Sequence, residues 1–339
     1  MTDSVTPTAL IITDYLKQEV TGLPDTGGKL EIVARRASEV DDALWRRTEA
    51  LYTFNTIPDP AQAPRLKWIQ LFSAGADHVL RHPISSLPIS VTTVSGIHAV
   101  PIAEYTFSML LAWLHRVPSL VEWQRQALWP PEPERMTRFV PRAELHGATL
   151  GVVGYGSIGR QIGRIGAGFG MDVVALRRSD ERRDHGYALP GVGDLKGDVP
   201  SRFFRPADLH KMLAACDVTV LVVPLTNETR GWFDAAAIRA MKPGSIFINV
   251  ARGGILDEIA LAAALRDGHL AAAILDVFDQ EPLPAESPLW GLSNLMMSPH
   301  IGGHGPLYEV RASLVFAENL ARYLRGDDLL NVVDRVLQY

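Results

Sequence analysis

The sequence predicts an α/β protein made of two doubly wound parallel sheets. Two observations carry this. Short runs rich in β-branched and aromatic residues recur along the chain, and the segments between them are too long for hairpins and suit crossover helices. The series is broken once, by an apolar helix-like stretch and a proline-rich connector, and then restarts at a glycine-rich turn. At 339 residues, 47% hydrophobic and 21% charged, the chain is long enough for two domains and can bury a large core.

In the first series TALIIT, KLEIVA, ALYTF, KWIQLF and ISVTTV read as strands. The stretch 101–114, PIAEYTFSMLLAWL, is apolar almost all round after Glu104, the mark of a helix buried on several sides, and is expected between the two domains. WPPEPERMTRFVPRAEL then reads as a surface connector. The second series comprises ATLGVVG, DVVAL, DVTVLVV, SIFINV, LAAAILDV and NLMMSP. Between DVVAL and DVTVLVV, the segment HGYALPGVGDLKGDVPSRFFRP is punctuated by glycine and proline and reads as a long surface loop, with no function assigned to it. The chain closes on a helix, LYEVRASLVFAENLARYLRG. The expected division is residues 1–99, 100–304, and a C-terminal helix within 305–339 that returns to the first domain.

Composition excludes several function classes. A net charge of −5 offers no general basic face for nucleic acid. Cys216 is the only cysteine, so there is neither an internal disulfide nor a cysteine-based metal cluster, and no metal site is expected. Its surroundings, LAACDVTVLVV, suggest a buried, inert thiol. The N-terminus lacks the basic start and apolar core of a signal peptide, and no uncharged apolar run reaches the ~18 residues a bilayer span requires. A cytoplasmic protein with no membrane partner is the expectation.

Gly154-Tyr155-Gly156-Ser157-Ile158-Gly159 fits G-x-G-x-x-G, and its context is right for a dinucleotide. A short apolar strand leads in. Ile158, Ile162, Ile165 and Phe169 follow on one helical face. Gly154 allows the tight turn, Gly156 lets backbone approach a pyrophosphate, and Gly159 lets helix and strand pack closely. The helix N-terminus then presents free N–H groups to the phosphates. The next strand runs into Arg177 and Arg178, where a nucleotide-binding chain selective for NAD would place an acid. A guanidinium there attracts a 2′-phosphate, so NADP(H) is the preferred cofactor and NAD(H) an alternative.

Three further stretches end strands beside glycines or turns: INVARGGILDE with Arg252, LDVFDQEP with Asp276 and Glu281, and MSPHIGGHG with His300. Ligands of open α/β sheets lie outside the carboxyl ends of strands, where all three would converge. With LGVVGYGSIGR, VPLTNETRG and MKPGSIFINVARGGILDE in the same order, the sequence resembles the D-2-hydroxyacid dehydrogenase family over roughly residues 145–305. LKWIQLFSAGADHV and SGIHAVPIAEY match more loosely. The resemblance implies two Rossmann-like domains with an active cleft between them.

It also implies roles. Arg252 would bind the substrate's carboxylate and carbonyl oxygen with a permanently charged planar fork. His300 would be the general acid in reduction and the base in oxidation, with Glu281 on its other nitrogen favouring the imidazolium. Asp276 would hold the nicotinamide carboxamide. Pro224, Leu225, Thr229, Val250, Ala251 and Gly302, together with the glycine turn, would line the nucleotide. The N–H groups of Ala74 and Gly75 would clamp the substrate carboxylate. His78, His98 and His304 lie near this region of the sequence, and packing or solvent exposure accounts for them; His98, just before the interdomain helix, is the one closest to a role.

The implied activity is reduction of small 2-oxo acids of the glyoxylate or hydroxypyruvate type to D-2-hydroxy acids with NADPH. Two alternatives stay open: an NAD-dependent dehydrogenase of a D-2-hydroxy acid such as phosphoglycerate, and a nucleotide-sensing binding protein. A homodimer is the expected assembly.

Overall fold

The structure, a computed structural model, describes residues 8–13, 20, 22–127, 129–179 and 186–338. The chain divides into two compact units: Met1–Ile97, His185–Leu189 and Gly305–Tyr339 form one, and His98–Asp184 and Pro190–His304 form the other. The boundaries fall at Ile97/His98 and His304/Gly305. The short piece His185–Leu189, which the sequence places in the second domain, belongs to the first unit.

In the first unit, strands β1 (Thr8–Ile12), β2 (Leu30–Ala34), β3 (Thr48–Thr53), β4 (Trp68–Leu71) and β5 (Ser90–Thr92) form one parallel sheet in the order β2-β1-β3-β4-β5. Helices α1 (Asp42–Arg47) and α2 (Asp77–Leu80) lie in two of the crossovers. The expected crossover helix between β3 and β4 is absent among the described residues. Pro58, Pro60 and Pro64 fall in that span, and each removes a backbone donor and restricts the residue before it.

The second unit begins with α3 (Ala99–Leu114), α4 (Val117–Arg125) and α5 (Glu132–Arg138). Its sheet contains β6 (Thr149–Val153), β7 (Asp172–Leu176), β8 (Arg202–Phe204), β9 (Val218–Leu221), β10 (Ile246–Asn249), β11 (Ala272–Leu275) and β12 (Leu295–Met297), all parallel, in the order β12-β11-β10-β9-β6-β7-β8. Helices α6 (Ser157–Gly168), α7 (Leu209–Leu213), α8 (Ala235–Ala240) and α9 (Glu258–Arg266) complete it. In β10, Ile246 and Ile248 enter one hydrophobic cluster and Phe247 the other, the period-two signature of a sheet covered on both faces. Burying each such side chain contributes ~1.5–3 kcal/mol.

Two further sequence expectations change. The long loop after β7 contains β8, a three-residue edge strand that its flanking proline and arginines concealed. The proline-rich connector is partly helical, as α5. The stretch 101–114 lies within the second unit: Phe107, Leu110 and Trp113 are buried in its core, and Phe107 stacks on Phe169 at 5.4 Å, while Glu104 and Ser108 stay exposed. Helix α10 (Tyr308–Arg325) packs Val315, Phe316 and Leu320 into the first unit, where Phe316 stacks on Tyr52 at 4.2 Å.

Cys216 is buried, donates from Sγ to the Met212 carbonyl at 3.0 Å, and has its thiol pushed up to about 12 by burial. A thiol so protonated is a poor nucleophile. Among the described residues no helix is long and apolar enough to cross a membrane, and no cluster of His, Cys, Asp or Glu could hold a metal.

Candidate active site

The glycine turn sits between β6 and α6. Gly154 has φ +107°, and a Cβ there would lie 2.7 Å from the Val222 carbonyl oxygen. At Gly159 a Cβ would lie 2.1 Å from the Gly154 carbonyl oxygen, so α6 packs against the turn as closely as only glycine permits. Above Gly156 there is open space. A turn with two shut positions and one open one fits the approach of a phosphate to backbone N–H groups at a twelve-residue helix N-terminus. Ser157 and Ile158 open that helix, partly buried. The Tyr155 side chain, by contrast, is buried. Its hydroxyl donates to Asp194 Oδ2 at 2.8 Å, and burial followed by the Asp194 charge raises its proton affinity.

At the end of β7 the Arg177 guanidinium lies 4.0 Å from the centroid of the Phe203 ring. Such stacking orients a planar cation without neutralising it. Arg178 pairs with Glu228 at 3.2 Å, and Arg205 donates to the Arg178 carbonyl. Three arginines and a stacking ring therefore gather at this strand end, Arg177 and Arg178 just past β7 and Arg205 just past the edge strand β8. In the loop after β9, the Thr229 hydroxyl donates to the Pro224 carbonyl at 2.6 Å and accepts from the Thr226 N–H at 2.8 Å, which shapes the run through Leu225. That loop joins the next turn through the Gly231 N–H donating to the Gly254 carbonyl at 2.9 Å.

Arg252 stands just past β10, after the buried Val250 and Ala251. Asn249, fully buried, holds the turn: its Oδ1 accepts from the Ala251 N–H at 3.0 Å and its Nδ2 donates to the Arg252 carbonyl at 3.3 Å. A Cβ on Gly253 would fall 1.8 Å from the Phe278 carbonyl carbon and 2.2 Å from the Asp279 nitrogen. The Arg252 turn is thus in backbone contact with the turn that carries Glu281. That second turn is held by the Phe278 N–H donating to Glu281 Oε1 at 2.9 Å and the Asp279 N–H donating to Glu258 Oε1 at 2.7 Å. Gly253→Ala is expected to cost ~3 kcal/mol or more, because the obstacle is backbone. A thermal unfolding scan would show this as a fall in Tm of roughly 6–12 °C.

His300 Nδ1 lies 2.7 Å from Glu281 Oε2. His300 has φ +55°, a conformation that L-residues seldom adopt. Asp276 holds it there. The buried carboxylate accepts from the Ser298 hydroxyl at 2.6 Å, the Ile301 N–H at 2.9 Å and the Gly302 N–H at 2.8 Å, and the Asp276 carbonyl accepts from the His300 N–H at 2.8 Å. The Tyr105 hydroxyl backs this network, 2.5 Å from the Ser298 hydroxyl, and burial pushes it up to about 12.

In the first unit, Ala74 and Gly75 follow β4 in a partly exposed loop in which the Ser73 hydroxyl donates to the Gly75 carbonyl at 2.7 Å. Among the described residues the N–H groups of Ala74 and Gly75 have no hydrogen-bond acceptor. His78 Nε2 lies 2.8 Å from the Phe54 carbonyl, and His98 packs against Gly303.

Of the expected site residues, the structure brings together His300, Glu281, Asp276 and Gly302, and joins Arg252 to them through Gly253. Asn249, Ser298, Tyr105, Phe203, Arg205 and Asp194 escaped the sequence reading. Asn249 left a signal: a polar residue ending an otherwise apolar strand. The rest become recognisable only through their partners.

Residues 107–302 match the family described as D-isomer specific 2-hydroxyacid dehydrogenase, NAD binding domain. The chain is 32% identical over 298 residues to a glyoxylate reductase of Aeropyrum pernix, covering 86% of this chain and 84% of that protein. It is 37% identical over 270 residues to an (S)-sulfolactate dehydrogenase of Chromohalobacter salexigens, covering 78% and 79%. Among solved structures, a D-isomer specific 2-hydroxyacid dehydrogenase from Xanthobacter autotrophicus Py2, in complex with NADPH and MES, superposes with a TM-score of 0.76 at 29% identity over 98% of this chain and 100% of that one.

Proposed function

Since the chain belongs to the D-isomer specific 2-hydroxyacid dehydrogenase family, and so is an NAD(P)-dependent oxidoreductase, we propose that it is an NADPH-preferring reductase of small 2-oxo acids of the glyoxylate or hydroxypyruvate type. The observation that carries the chemistry is the His300–Glu281 pair at 2.7 Å, on a loop whose Ile301 and Gly302 N–H groups both donate to the Asp276 carboxylate. Bound nicotinamide supplies the hydride to the carbonyl carbon. The chain's own residues do the rest. With Nδ1 engaged by Glu281, Nε2 is the nitrogen of His300 left to pass a proton to the carbonyl oxygen. Glu281 holds the ring through Nδ1 and so fixes its plane. Arg252 draws the 2-oxo acid by its carboxylate and polarises the carbonyl oxygen. The N–H groups of Ala74 and Gly75, which have no acceptor among the described residues, can donate to a substrate carboxylate. Asp276 orients the His300 loop and has lone pairs left for a carboxamide donor.

The Arg177 guanidinium, spread on Phe203, supports the NADPH preference, since a 2′-phosphate needs a cation held in place. One assay tests both parts. Purified protein is given a panel of 2-oxo acids with NADPH and, in parallel, with NADH. Turnover of glyoxylate or hydroxypyruvate with kcat/KM at least about tenfold higher for NADPH, the worth of one charge-assisted hydrogen bond, supports the reading. NADPH binding without turnover of any 2-oxo acid would favour a nucleotide sensor. Faster oxidation of a hydroxy acid with NAD would favour the dehydrogenase direction.

A further inference from the structure

The insertion after β7 ends in β8, whose register explains why Arg177 lies on Phe203. The parallel ladder pairs Ala175 with Phe203 and Leu176 with Phe204. Paired residues of a sheet share a face, and successive ones alternate. Phe204 accordingly enters the cluster that holds Val174 and Leu176. Phe203 packs against the other cluster, which holds Val173, Ala175, Tyr155 and Ile162 of α6. The ladder runs one residue past β7, since the Arg177 N–H donates to the Phe204 carbonyl at 3.1 Å. Arg177, two residues on from Ala175, is thereby set on the Phe203 face, with its guanidinium 4.0 Å from the ring centroid. An aliphatic side chain at 203 would preserve the strand but offer no π-face to a cation.

The Phe203 ring is itself held from behind. Tyr155 meets it edge-on, with centroids 5.6 Å apart and planes at 77°, an arrangement that aromatic quadrupoles favour. The Tyr155 hydroxyl donates to Asp194 Oδ2 at 2.8 Å, and the Arg160 guanidinium lies 5.2 Å from the Tyr155 ring centroid. Asp194 is pinned in turn. Arg160 donates to its carbonyl at 2.5 Å, and its carboxylate accepts from the N–H groups of Gly197, Asp198 and Val199. Burial works against its charge, but these N–H groups, the Tyr155 hydroxyl and Arg160 outweigh it and hold the carboxyl below its usual range. The same stretch is fastened to α6 at two more points. The Gly191 carbonyl accepts from Arg164, and the Gly193 N–H donates to Gln161 Oε1 at 2.7 Å.

An arginine side chain carries much rotamer entropy, which it must lose on meeting a phosphate. A guanidinium already laid on a fixed ring has lost part of it beforehand. We propose that Phe203 is a specificity-determining positioning residue, which sets the Arg177 guanidinium for the 2′-phosphate of NADPH and is held in place by Tyr155 and Asp194. This rests on the NADPH preference proposed above. The segment 191–204, which the chemistry at His300 leaves unused, then serves nucleotide selection. Asp194 and Tyr155 fix the ring, the ring fixes the cation, and the cation meets the one group that distinguishes NADPH from NADH.

Fluorescence titration of the full chain gives the Kd for NADPH and for NADH with no 2-oxo acid present. Phe203→Leu should weaken NADPH about fivefold, the worth of one partly buried cation–π contact, and NADH less than twofold. Phe203→Tyr restores a ring and should recover NADPH binding. In an Arg177→Ala background, Phe203→Leu should shift the NADPH-to-NADH ratio no further, because the ring acts through the cation. Phe203→Met, unbranched and without a ring, takes the place of the leucine variant if that one fails to fold. Equal weakening of both nucleotides would reduce Phe203 to packing. A ratio that still falls in the Arg177→Ala background would put the ring on the nucleotide itself. Either result overturns the positioning role. If Arg177→Ala alone leaves the ratio unmoved, the NADPH preference is what fails; if Arg177→Ala shifts the ratio and Phe203→Leu does not, the positioning role alone is lost.

Discussion

Replacing His300 with asparagine is expected to lower kcat for 2-oxo acid reduction by about 10²–10⁴-fold, the usual worth of a positioned general acid. Asparagine is the right replacement because His300 sits at φ +55°, where asparagine is among the few residues at ease. Alanine would mix a backbone effect into the kinetics. The Asp276 network reaches the loop through backbone N–H groups and Ser298, so it survives the change. The NADPH Kd and Tm are expected to stay near those of the unmodified enzyme. Glu281→Gln provides the graded companion: glutamine keeps an acceptor for Nδ1, so the ring stays oriented and the loss in kcat should be smaller. Near-normal turnover by His300→Asn, measured with saturating NADPH, would remove His300 from the proton path.

Arg177→Asp is expected to reverse the nucleotide preference. The substitution removes a cation stacked on Phe203 and installs an anion where a 2′-phosphate would lie. A hydrogen bond to a charged group is worth ~1.5–3 kcal/mol, so the NADPH-to-NADH ratio of kcat/KM should fall by about 10²-fold or more once repulsion is added. Arg178→Ala should do less, because Arg178 already pairs with Glu228 at 3.2 Å and both side chains are largely exposed. Arg205→Ala removes the guanidinium that holds the Arg178 carbonyl and should loosen the strand end as a whole. Steady-state kinetics with both nucleotides separates these cases. A ratio unmoved by Arg177→Asp would make the arginines ordinary surface charge.

Much of this was legible in the chain. Each of the eleven expected strands forms, because short apolar runs of three to six residues bounded by turn formers have few other stable uses. The glycine turn was legible because Gly154 and Gly159 have no alternative: one sits at φ +107° and the other has a carbonyl 2.1 Å from where its Cβ would be. The strand β8 was not, because three residues at a sheet edge carry too little pattern to outweigh the arginines and proline around them. The crossover without a helix was legible in principle, through three prolines, but the strand rhythm on either side concealed it.

Local chemistry along the chain thus determined the two parallel sheets and the glycine turn, and singled out Arg252, Glu281, His300 and Arg177 as candidates, since each of these readings depends on a residue's own type and its nearest neighbours. What only the tertiary structure decided is how those groups are held. Asp276 reaches Ile301 and Gly302 across about 25 residues of chain. Asn331 reaches Thr93 and Ser95 across more than 230. Tyr155, in the middle of the nucleotide motif, turns inward to Asp194. Such pairings pass between segments whose separation along the chain says nothing about their separation in space. Only packing brings them to hydrogen-bonding distance.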